Sequence, residues 1–139
     1  MKYTVLAGRI LFAFIFIMAA TGHFSKETIA FSAAQGVPLA NIAVPLSGIT
    51  MLLGGLSVAA GFRAKWGAWI LFLTMVPVTF MMHKFWNITD PMMQKMDMVM
   101  FMKNISIMGA SLIVAYFGSG PASLDAVLDK KKEAQLKFQ

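Results

Sequence analysis

The stretch WGAWILFLTMVPVTFMMHKFW, residues 66–86, starts as a charge-free apolar run and ends in a polar, aromatic rim. From Trp66 to Met82 it carries no charge. At about 1.5 Å per residue that run crosses most of a bilayer core of roughly 30 Å. Pro77 removes one backbone donor and frees the carbonyl of Leu73, a fault that a neighbouring helix or a hydroxyl such as that of Thr74 repairs inside a membrane. The reading is a transmembrane helix, kinked just below His83, that opens through His83, Lys84, Phe85 and Trp86 onto a membrane surface. Function is expected near that rim.

Composition supports the same class. Of 139 residues, 58% are hydrophobic and only 13% charged, where soluble domains carry about 45–50% apolar residues with glycine included. The charges fall between long apolar runs, which predicts one compact all-α membrane bundle. The net charge of +6 sits in short flanks of apolar helices, where insertion topology and anionic lipid account for it. Nucleic acid is excluded as a partner. The chain has no cysteine, so disulfides, thiol relays, iron–sulfur ligation and cysteine-based sulfur transfer are excluded for this chain itself. Any redox role has to be borrowed from a partner or a cofactor. Lys2 and the stretch from Val5 to Ala20, with Ala19 and Ala20 near a cleavage position, have the form of a signal peptide; the segment is read as a retained first span.

Working outward, that first span runs from Tyr3 to Thr21 and is interrupted by Arg9. Residues 22–40 are too polar to span, and Phe24 and Phe31 mark a short interfacial helix. The second span, Ile42 to Gly61, has Pro45 in its first turn and small residues at Gly55/Ala59 and Ser57/Gly61, which let neighbours approach closely. A tight hairpin at Phe62–Lys65 leads into the third span. Asp90 and Pro91 start a new helix whose membrane part is Val99 to Phe117, closed by Gly118, Gly120 and Pro121. Ser123 caps a tail helix with Leu124, Val127 and Leu128 on an apolar face and a Lys130-Lys131-Lys132 cluster.

The fold class is thus a four-transmembrane-helix bundle, residues 1–121, followed by a basic cytoplasmic tail, residues 122–139. Four spans put both termini on one side. Lys2, Arg63, Lys65, Lys130, Lys131, Lys132 and Lys137 lie there, against Lys26, Lys84 and Lys95 opposite, which makes the side of the N and C termini cytoplasmic.

Several short patterns, in this order, resemble the DoxX family of small four-helix membrane proteins, and the likeness covers nearly the whole chain. They are Gly8-Arg9-Ile10-Leu11-Phe12 leading to Gly22-His23-Phe24, the Leu53-Gly54-Gly55 turn, His83-Lys84-Phe85-Trp86 followed by Lys103-Asn104-Ile105, and the closing Gly118-Ser119-Gly120-Pro121-Ala122-Ser123-Leu124-Asp125. The resemblance implies a bacterial inner membrane protein. It also implies association with membrane oxidoreductases, such as the membrane subunit of a thiosulfate:quinone oxidoreductase, acting with partner membrane or periplasmic proteins. It transfers no catalytic residue.

The candidate sites follow from charges and rings at the span ends. Lys103 lies about 9 Å deeper than Asp97 by helical rise; it is either a ligand-binding charge beside Asn104 and Ser106 or a snorkelling lysine. His23 and His83, with Trp86, Lys84 and Lys103, could line a pocket for a quinone head or small anion, with imidazole and ammonium polarising its oxygens. Interfacial histidines and an aromatic anchor are the plainer reading. A haem between two rim imidazoles is disfavoured. Arg9 is expected to pair with Asp125 and clamp the tail to the first span. Met92, Met93, Met96, Met98, Met100 and Met102, near Met81 and Met82, suit Cu(I) by ligand softness, but flexible apolar filler is the favoured reading and no metal is assigned. Glu27, Asp90 and Asp97 read as loop or interfacial charges. Two functions stay in view: an oxidoreductase-assisting subunit with a quinone-head site at the outer rim, and a non-catalytic accessory subunit of a larger membrane complex.

Overall fold

The structure, a computed structural model, describes residues 1–137. Residues 138–139, the end of the expected tail, and the side chain of Lys2 lie outside the described residues. Among the described residues, six α-helices follow in order: α1 (Lys2–Gly22), α2 (Lys26–Ala34), α3 (Ala40–Ala60), α4 (Ala64–Met82), α5 (Pro91–Phe117) and α6 (Leu124–Leu136), with a 3-10 turn at Phe85–Asn87. Among the described residues, α1, α3, α5 and the segment Ala64–Asn87 containing α4 are long and apolar enough to cross a membrane. The chain is a four-span helical bundle.

The main packing follows chain order, α1 on α3, α3 on α4 and α4 on α5, with α2 lying against α3. Small residues permit this. A Cβ on Gly54 would meet Leu71 at 2.7 Å and the Gly67 carbonyl at 2.9 Å, so the α3–α4 crossing depends on the missing side chains. Gly55 instead faces Ile17 and Phe16 of α1, consistent with α3 as a packing centre. The core is built from Ala13, Phe16, Ala20, Met51, Val58, Ala68 and Leu71. Lipid-facing leucines and isoleucines remain outside, as expected where the solvent is itself apolar.

Local signals set the ends. Asp90 accepts from the Met93 N–H at 2.8 Å and Pro91 opens α5, satisfying one orphan donor and supplying no unwanted one. Ser25 caps α2 through the Thr28 N–H. The α3–α4 turn is a Schellman-type close, with Phe62 N–H donating to the Ser57 carbonyl and Gly61 at φ 66°. Two local expectations change. Helix α3 starts at Ala40, earlier than read, so Pro45 lies inside it and not in its first turn. In α4, which runs through Pro77 to Met82 as read, the Thr74 hydroxyl lies 2.8 Å from the Ile70 carbonyl and 2.9 Å from Thr50 Oγ1, and not on the carbonyl Pro77 frees.

Helix α5 has 27 residues, about 40 Å long against a core of about 30 Å. Its second turn carries Asp97 beside the end of α4.

Candidate functional site

At the rim, His23 caps α1 and His83 caps α4. The structure brings both to the same cavity of about 670 Å³, walled by α3 and α4 and covered by α2. Thr50, Thr74 and Ser47 supply its few polar side walls, and Phe31, Val44, Pro77 and Met81 much of its apolar lining. Gly48 makes room at the histidine end, since a Cβ there would stand 2.8 Å from His23 Cβ.

The hydrogen bonds fix how each ring is presented. His23 Nδ1 lies 2.8 Å from the Ala19 carbonyl; a carbonyl only accepts, so Nδ1 carries the hydrogen and Nε2 is left free. His83 Nδ1 lies 2.8 Å from Asp97 Oδ1, again as donor to the carboxylate, with Nε2 free. Asp97 thereby fixes the orientation of the ring. His83 and Asp97 keep about a quarter and a fifth of their side-chain surface exposed.

A second cavity of about 610 Å³ adjoins the first, sharing Phe31, Met82 and Asp97, and is lined toward α5 by Lys84, Met93, Met96 and Met100. The Lys84 ammonium donates to the Gln35 carbonyl at 3.1 Å, tying the end of α2 to the rim. Met100 Sδ faces the Lys103 ammonium at 3.5 Å, which sets a positive charge against Cu(I) at that sulfur.

Other expected members separate. Lys103 is exposed and lines neither cavity, so the common Lys103–His83 pocket is corrected. Successive helical residues point about 100° apart: Asn104 belongs to the buried stripe Asn104, Met108, Ser111, Ala115, and its neighbour is turned away. Ser106 is likewise exposed, bonded to the Met102 carbonyl. Trp86 is half exposed and stacks edge-on with Phe85 and Phe101, an aromatic anchor at the rim. Asp97, read as an interfacial charge, is the residue sequence reasoning missed. Its only signal was a carboxylate placed two turns into a new helix beside a histidine.

The opposite end gathers Arg9, Gly61, Ser119 and Asp125. Arg9 is 3% exposed. It does not form the expected direct pair with Asp125: its Nη1 and Nη2 donate to the carbonyls of Ser119 and Ala122. The link runs through Ser119, whose hydroxyl donates to Asp125. Asp125 also accepts from the Arg63 N–H at 3.0 Å, while its own N–H donates to the Gly61 carbonyl. Burial pushes the Asp125 carboxyl up, but the Ser119 hydroxyl, the N–H groups of Arg63 and Ala64 and the Arg63 charge outweigh it and hold its pKa below the ordinary value. This end fastens the chain after α5 onto the α3–α4 turn.

The DoxX family profile matches residues 4–84, more than half of the chain. The chain belongs to the DoxX family. Within that match lie Arg9, His23, Gly61 and His83 of this DoxX-family protein, while Asp97 and Asp125 lie beyond it. It is similar to Inner membrane protein YqjF of Escherichia coli K12, 31% identical over 129 residues, covering 91% of this chain and 93% of the relative. It is also similar to Inner membrane protein YphA of the same organism, 27% identical over 98 residues, 70% and 69% of the two chains. No solved structure matches. The protein is a multi-pass membrane protein of this family.

Proposed function

We propose that this chain binds the head of a membrane quinone in the cavity beneath α2, as a subunit assisting a partner oxidoreductase in the bacterial inner membrane. One observation carries the reading: His23 and His83, from two different spans, line one largely apolar cavity, with Asp97 on His83. Ligand sites are mostly apolar concavities of about 300–1,000 Å³ with a few convergent polar groups, and this one fits a ring with the start of a prenyl tail. A bound quinone would supply two-electron, two-proton redox chemistry. The chain's own part is binding and proton handling. His83 Nε2–H, supported by Asp97, donates to a carbonyl oxygen, and neutral Nε2 accepts from a hydroxyl. His23 Nε2 offers a second contact, and α2 excludes water. The names of both relatives and the charge distribution favour the inner membrane with the termini in the cytoplasm, the cavity opening outward. Reporter tags at Gly36 and after Lys132 are expected to label from opposite sides; same-side labelling contradicts that orientation.

The test is equilibrium binding of a short-tailed quinone analogue to the full chain in nanodiscs. Removing one charge-assisted hydrogen bond of about 1.5–3 kcal/mol predicts at least about tenfold weaker binding for His83→Gln. Saturable binding that His83→Gln leaves unchanged contradicts the site. A second reading, a non-catalytic accessory subunit, is favoured by the exposed Met92, Met93, Met96 and Met102 on the outer part of α5, an adaptable apolar surface for a partner protein.

A further inference from the structure

Helix α6 carries two stripes that do not mix. Asp125, Asp129 and Glu133 follow at intervals of four and share one face. Asp125 is bonded to the Arg63 N–H, and Asp129 joins it beside Arg63 and Lys65 in a cavity of about 420 Å³ at the α3–α4 turn. The acidic stripe therefore begins against the body of the protein. Leu124, Val127 and Leu128 lie elsewhere on the helix and are about half exposed. Lys130 follows Val127 at three residues, Lys131 follows Val127 and Leu128 at four and three, and Lys132 follows Leu128 at four. The lysines thus extend and border the apolar face.

Covalent geometry fixes the height of this face. The fourth span ends at Phe117, with Tyr116 and Phe117 about three-quarters exposed as an aromatic belt pair. Ser123, which caps α6 through the Ala126 N–H, comes six residues later. The Arg9–Ser119 and Asp125–Gly61 bonds hold this short link against the bundle end. Helix α6 starts at the headgroup level and, with 13 residues, extends about 20 Å at 1.5 Å per residue. No residue within it is buried.

We infer that α6 docks along the membrane surface through Leu124, Val127 and Leu128, with Lys130, Lys131 and Lys132 on anionic phospholipid headgroups. The apolar side chains enter the headgroup–acyl boundary and the ammonium groups snorkel to phosphate. Charge complementarity selects the occupant: the lysines flank the exposed apolar face, while Asp125 is bonded at the α3–α4 turn with Asp129 beside it. Basic residues near an anionic surface each add attraction that salt screens.

The test compares hydrogen–deuterium exchange of the α6 amides in the full chain, held in nanodiscs of pure phosphatidylcholine or with about one-third phosphatidylglycerol. Exchange is expected to slow at least about tenfold in the anionic discs, with most of that protection lost in high salt. The triple variant Lys130→Gln, Lys131→Gln, Lys132→Gln is expected to exchange at the same rate in both lipids, with the α3 amides unchanged as proof of folding. Equal exchange of the wild-type helix in the two lipids overturns the inference. So does anionic-lipid protection that persists in the triple variant. The result is independent of quinone binding, so neither outcome bears on the cavity.

Discussion

The two ends of the bundle treat charge in opposite ways. At the end formed by Arg9, Gly61 and Asp125, each charge is met by fixed partners: two carbonyls for Arg9, backbone N–H groups and a hydroxyl for Asp125. At the rim, His83 and Asp97 meet each other, remain partly exposed and line a cavity. Arg9 is the more deeply buried and makes the architecture; the rim pair is shallower and stays reachable. Depth of burial alone is therefore a poor guide to a binding site, and what separates Arg9 from the two rim histidines is that each ring keeps a free nitrogen at a cavity.

The sharpest way to break this contrast is at the fastened end. Arg9→Leu strands the Ser119 and Ala122 carbonyls and removes two charge-assisted hydrogen bonds, which predicts a loss of about 3 kcal/mol or more. Gly61→Ala should do comparable damage by another route. Its Cβ would collide with the Arg9 guanidinium and Ser123, and φ is +66°. Thermal melts in detergent check both, and a melt within a degree of wild type in either variant would contradict the fastening role.

Asp125→Asn has a smaller, pH-dependent effect. Because the folded carboxyl lies below its ordinary pKa, its contribution is fully present above about pH 4, the ordinary aspartate value, and is lost as pH falls through the lower folded value. The melting difference between wild type and Asp125→Asn is expected to be largest at pH 6 and to shrink toward pH 3. A constant difference would mean that the charge is not what the network uses. Smallest of all is Lys103→Met. The exposed ammonium contacts a thioether outside both cavities, so the change should leave stability and quinone-analogue binding within about twofold, where an effect as large as that of His83→Gln would return Lys103 to the site.

The fold was legible because long charge-free runs, the Asp90-Pro91 helix start, the Ser123 cap and Gly61 are local signals, and the interfacial helix was announced by its polar loop with spaced phenylalanines. The site was legible only in part. His23 and His83 could be placed at the same membrane face from span ends, but the angular position of a residue on α5 could not. Asn104 and Lys103 looked equivalent in sequence although one is buried in the bundle and the other exposed. Arg9 found backbone carbonyls, which carry no sequence signature, and Asp97 looked solvated because α5 was expected to enter the membrane only at Val99.

The most direct measurement is photolabelling of the full chain in nanodiscs with an azido-quinone, its adducts mapped by mass spectrometry in wild type and His83→Gln. The expected adducts fall on cavity residues such as Phe31, Val44 and Met81, are displaced by excess unlabelled quinone and decline at least about tenfold in His83→Gln. Adducts scattered over the lipid-facing surfaces of α1 and α5, neither displaced by competitor nor reduced by the substitution, would contradict a quinone site at the rim.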